Sequence, residues 1–159
     1  MALSVPLSRF TPQFGGGSAF FVRPSMRYHD FHLEGYAVTK FGGEIVLELV
    51  WNYPDSPFER SRIRFTDVAT YHFIHTGGAI ITEIMETPLP DFLTEYGEQL
   101  AEWHRMYGIS LWNDDHTKYI ETLRQKGYAA WVIHSAIGFH GFVIARSVGE
   151  DICKNESSA

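Results

Sequence analysis

Eight histidines supply the first candidate chemistry in this chain of 159 residues. His29 and His32 stand three apart, as do His72 and His75. On a helix that spacing would set two metal ligands side by side. On a strand, residues three apart point to opposite faces, so neither pair chelates alone. Both pairs fall in β-type sequence, yet ligands can still meet between strands, and His32, His72 and Glu83 are the candidates for such a pocket. With no His-Glu-x-x-His pattern and no cysteine cluster, neither a metal nor another cofactor is expected. The plainer reading makes these histidines surface groups, or partly buried ones bonded to backbone.

Acid–base chemistry needs a carboxylate or imidazole whose surroundings shift its pKa. Asp30 beside His29, Asp67, Glu83 and Glu86 qualify by position. Glu44 and Glu48 share the strand face opposite the expected core, which reads as a solvated surface. Asp114 and Asp115 sit at a helix start, where capping and the helix dipole account for acidic residues. Nucleophiles fare no better. Ser135, in His134-Ser135-Ala136, lacks the Gly-x-Ser-x-Gly frame, and Cys153 lies in a polar tail. Gly15-Gly16-Gly17 is not followed by Lys-Ser/Thr, so no phosphate loop is present. No catalytic residue is assigned.

A different signal comes from Gly138-Phe139-His140-Gly141-Phe142. Two glycines flank Phe139-His140 at a hairpin-like position, where a displayed ring would serve as a binding anchor. Phe139, His140 and Phe142 are therefore the candidate partner-binding residues; the alternative folds them back onto the helices.

The elements that must hold these groups are legible from periodicity. Residues 1–25 form an arm punctuated by Pro6, Pro12, Pro24 and three glycines, and carrying Phe10, Phe14, Phe20 and Phe21. Residues 33–41 and 44–51 flank Gly42-Gly43 and predict a hairpin. Residues 61–75 and 79–85 flank Gly77-Gly78 and predict a second, with a bulge suspected near Asp67. Leu89, Phe92, Leu93, Tyr96, Leu100, Trp103 and Tyr107 make the stripe of an amphipathic helix, capped by Thr87 and closed by Gly108, with Gly97 weakening its middle. A shorter helix follows from about Asp115 to Lys126, capped by Asn113 or Asp114. Two more strands, 128–135 and 141–147, turn around Gly138, before a frayed polar tail at 149–159.

The expected architecture is thus α+β, an antiparallel sheet of about six strands in the order β-β-β-β-α-α-β-β. Two helices cover one face, with Leu47 and Leu49 beneath them. Residues 26–148 form one domain, since 159 residues lie within the ordinary single-domain range.

Charge and composition narrow the function classes. The net charge is −6, and only Arg60, Arg62 and Arg64 form a basic run, so nucleic-acid binding is not expected. No apolar run approaches membrane-spanning length, and Met1–Phe10 lacks a charged start followed by an apolar stretch, so the expected compartment is the cytoplasm. A single cysteine allows no intrachain disulfide. Aromatic residues reach 15%, an excess that suits either a packed core or a binding surface.

His29-Asp30 ahead of the first strand, the two-strand start, the segment 65–73 and the Ser135-Ala136-Ile137-Gly138 turn resemble small bacterial domains of uncharacterised function, some of them immunity-protein-like. The resemblance spans 29–147 and implies a protein partner rather than a reaction. A non-catalytic interaction protein is accordingly the leading expectation, with a homodimer formed through the phenylalanine-bearing arm. The rival is a small-molecule-binding domain or enzyme, with a pocket between sheet and helices.

Overall fold

The computed structural model describes residues 28–154. The arm, and the dimer contact expected of it, lie outside the described residues. β1, Phe31–Thr39, and β2, Glu44–Trp51, form the first hairpin, with Thr39 opposite Glu44. Ile45, Leu47 and Leu49 alternate into the core and are wholly buried. The connecting turn departs from the Gly-Gly expectation. Lys40 and Phe41 themselves take left-handed backbone (φ 51° and 56°), followed by Gly42 at φ 88°, while Gly43 is right-handed.

The larger departure is β3, Glu59–Thr87, which runs unbroken through Gly77-Gly78. Its partner is β4, Ala129–Lys154, an equally unbroken strand through Gly138. The six expected strands are therefore four, in the order β1-β2-β3-α1-α2-β4 along the chain, and the α+β class with an antiparallel sheet holds. His75 pairs with Phe139 and Ile80 with Ile137, so residues 76–79 bulge out opposite Gly138. Gly77 and Gly78 do use positive φ (95° and 64°), for a bulge rather than a turn. A Cβ on Gly138 (φ 77°) would overlap the Gly77 carbonyl oxygen, so only glycine lets the two backbones approach there. β4 also continues through 149–154, pairing with Glu59–Arg64, where a frayed tail was expected.

β2 pairs along the start of β3, and the beginning of β1 returns to pair with Ile80 and Ile81. The curled sheet encloses one core, built from Leu33, Ile45, Leu47, Ile63, Phe65, Ile81, Trp131, Ile133 and Val143 among others. On the other side of the β3–β4 pair, the helices α1, Leu89–Tyr107, and α2, His116–Gln125, bury a second core with Ala130, Val132, Phe142 and Ile144. Leu47 and Leu49 thus belong to the first core, not beneath the helices.

The helix stripe is as periodicity predicts: Leu89, Phe92, Leu93, Tyr96 and Leu100 are buried and Trp103 half-buried, while Tyr107 is exposed. Gly108 (φ 74°) closes α1, its N–H bonded to the His104 carbonyl. Thr87 makes no side-chain cap, being the last residue of β3. The α2 cap is Asp115, whose carboxylate accepts from the Thr117 and Lys118 N–H groups. Gly97 has a positive use, because a Cβ there would press 2.7 Å from Cε1 of His116 where α2 crosses α1.

Leu100 is 0% exposed in the second core. Leu100→Ala should lower stability by about 2–5 kcal/mol, the range for a leucine deleted from a packed interior. Urea denaturation checks it: the midpoint falls and the slope stays constant.

Candidate functional site

Three segments far apart in sequence meet around an open groove of about 640 Å³. The β1–β2 turn supplies Lys40 to Gly43, β3 supplies Val68 to His72, and the end of α1 with its exit supplies Trp103 and Tyr107 to Ser110. Local bonds fix each wall. The Val68 N–H donates to the Gly43 carbonyl at 3.1 Å, tying the turn to β3 just beyond Asp67, another left-handed residue (φ 52°). Opposite, the Ile109 N–H donates to His104 Nδ1 at 2.9 Å and holds the loop leaving α1.

The groove is aromatic. His72 lies against Trp103, ring centroids 4.4 Å apart, and Tyr107 stands 76% exposed. Phe41 is fully exposed and held in left-handed backbone, a conformation that costs a bulky residue about 1–3 kcal/mol. Lys40, the cation of the turn, is committed: its Nζ sits 2.7 Å from Oε2 of Glu44. Glu44 is buried and also accepts from Arg64 at 2.9 Å and from the Thr39 hydroxyl. The Lys40 hydrogen bond is the main force holding the Glu44 carboxyl below its ordinary value, and it outweighs the opposing effect of burial. Among the described residues no Asp or Glu lines the groove.

Behind His72 runs a row of polar groups facing α1. His140 lies on the neighbouring strand, its Nε2 2.8 Å from the Tyr96 hydroxyl. His134 follows, its ring 5.8 Å from that of His140, and pairs across the ladder with Glu83. Burial, aided by the charge of His140, pushes the His72 pKa down from its ordinary 6.5. Burial also pushes the Tyr96 hydroxyl well above the usual tyrosine range, with Glu95 adding to the shift, so it remains neutral.

The expected trio does not assemble. His72 and Glu83 are both on β3, separated by the bulge at 76–79, and His32 is on β1 beside the Tyr53 ring at 5.5 Å. Among the described residues no group of three or more His, Cys, Asp or Glu side chains is placed to hold a metal. The expected displayed tip is also replaced. Phe139 is buried in the first core, Phe142 in the second, and His140 is bonded to Tyr96, because β4 passes straight through this segment. Periodicity did not point to Phe41, which ends the expected strand 33–41 directly before Gly42-Gly43.

Arg60, Arg62 and Arg64 are ion-paired to Glu34, Glu48 and Glu44 at 2.8–3.0 Å, Glu44 being shared with Lys40. Among the described residues no helix is long and apolar enough to cross a membrane. Comparison with family models, with curated proteins and with solved structures returns no match.

The depressed His72 pKa makes a signed prediction. The neutral imidazole's contribution to stability is full above the ordinary value of 6.5 and is lost as pH falls through the lower folded value. His72→Gln should therefore flatten part of the stability loss below pH 6.5, measured as urea midpoints of both proteins across that limb.

Proposed function

We propose that the protein is a non-catalytic interaction protein, immunity-like or accessory in kind, that grips a partner protein at the groove between Phe41 and Tyr107. The observation that carries this reading is Phe41. It is a fully exposed phenylalanine, held in left-handed backbone, on the lip of an aromatic groove. A ring left in water at a backbone penalty contributes nothing to folding, whereas such rings anchor interfaces. Tyr107 and Met106, both exposed at the end of α1, extend the apolar surface on the opposite lip. The resemblance of several short segments to immunity-like bacterial domains points the same way. A cytoplasmic setting, and a homodimer joined through residues 1–25, belong to the same proposal. The rival small-molecule pocket has less support, since His32, His72 and Glu83 are spread along the sheet.

The test places a photo-crosslinking residue at position 41 and, as a control, at position 62 on the ion-paired face. In extract of the native host, position 41 should yield a discrete protein adduct that position 62 does not. Identical adduct patterns from the two positions, or none from 41, would remove the groove as the docking site.

A further inference from the structure

We infer that the groove takes an extended segment of the partner protein as an added β-strand, paired backbone to backbone with the open edge of β3. This rests on the groove being the docking site and adds the form and chemistry of what enters it.

The pairing of β3 leaves that edge open. β2 accompanies it as far as Thr66, the Val68 N–H is taken by the Gly43 carbonyl, and β1 joins only at Ile80 and Ile81. Among the described residues, the side of β3 away from β4 has no strand partner from Ala69 to Ala79. Part of this edge, Ala69 to His72, lines the groove itself. Its sequence does not guard it. Edge strands are commonly blunted by lysine, proline or inward charge. Ala69-Thr70-Tyr71-His72-Phe73-Ile74-His75 holds no proline, lysine, arginine or carboxylate, and it is rich in residues that favour strands.

The open edge selects the guest. A molecule that seats against it displaces water from outward N–H and C=O groups, and must replace those hydrogen bonds or bury the groups unpaired. A lone flat ring or a helix presents no row of free donors and acceptors at strand spacing, because a helix spends its own internally. An extended backbone presents such a row. The side chains of an added strand then alternate between two walls. Toward α1 they meet the surface where His72 lies on Trp103, with Tyr107 beyond. On the opposite face they meet the rings of Tyr71 and Phe73, which lie with Tyr36 of β1. Both walls are aromatic, so the segment that fits carries apolar side chains on both of its faces.

The experiment uses the full chain and a short acetylated and amidated probe peptide of alternating valine and tyrosine, followed by nuclear magnetic resonance. Amide shifts at Phe41, Thr70 and Tyr107 should report binding. Hydrogen exchange should slow on binding at every second amide between Thr70 and His75, the set directed away from β4. The same peptide N-methylated at every residue keeps its side chains and loses its backbone donors, and should bind at least about tenfold more weakly. A methylated peptide that binds equally well, or binding that leaves those amides exchanging freely, would overturn strand addition while leaving the groove. Amides already protected in the free chain would mean that residues 1–27 or a second copy covers the edge, which also overturns it. So does a probe that shifts none of these residues, and the crosslink from position 41 then decides the groove by itself.

Discussion

Everything in this molecule hangs on one long antiparallel ladder, Glu59–Thr87 against Ala129–Lys154, buried on both faces through its middle. β4 sends Trp131, Ile133, Phe139, Val143 and Ala145 into the curl of the sheet. It sends Ala130, Val132, Phe142 and Ile144 under the helices. Each ring or methyl buried this way contributes to one core or the other, so a slip of one residue would exchange the two sets and ruin both. The bulges keep the phase. One between Ile81 and Glu83 lets Ile81 and Ile84 both face the first core and turns Glu83 to the side of His134. Gly141 carries another close approach, since a Cβ there would overlap the Phe73 ring and the His72 carbonyl oxygen. The backbone at His72 is set by that packing.

What periodicity could read is what short-range contacts decide. The stripe from Leu89 to Leu100 and the first hairpin are both determined within a few residues of themselves, and both form as expected. Gly77-Gly78 misled because a hairpin turn and a bulge make the same local demand, positive φ, and only the partner strand distinguishes them. That partner lies about sixty residues away in sequence, at Phe139 and Ile137. Phe139 and Phe142 looked like a displayed tip for the same reason: a strand buried on both faces has no polar side to betray it.

The site was less legible than the fold. His72 was a candidate, but its expected companions His32 and Glu83 belong elsewhere; its neighbours are Trp103 and His140, and Lys40 lines the same groove. Those come from three elements brought together by the ladder and by the packing of α1 on it. No spacing rule spans them. Each arginine of the Arg60, Arg62 and Arg64 run lies beside a glutamate contributed by another strand, a pairing that composition alone does not reveal.

The continuous ladder is the claim on which core, groove and His72 all rest, and cross-strand backbone proton contacts measured by nuclear magnetic resonance test it most directly. The account predicts contacts between β3 and β4 on both sides of Gly77-Gly78, joining the neighbourhoods of Tyr71 and Val143 and of Ile84 and Ile133. Contacts instead between residues 72–75 and 80–83, the signature of a hairpin folded at Gly77-Gly78, would contradict it.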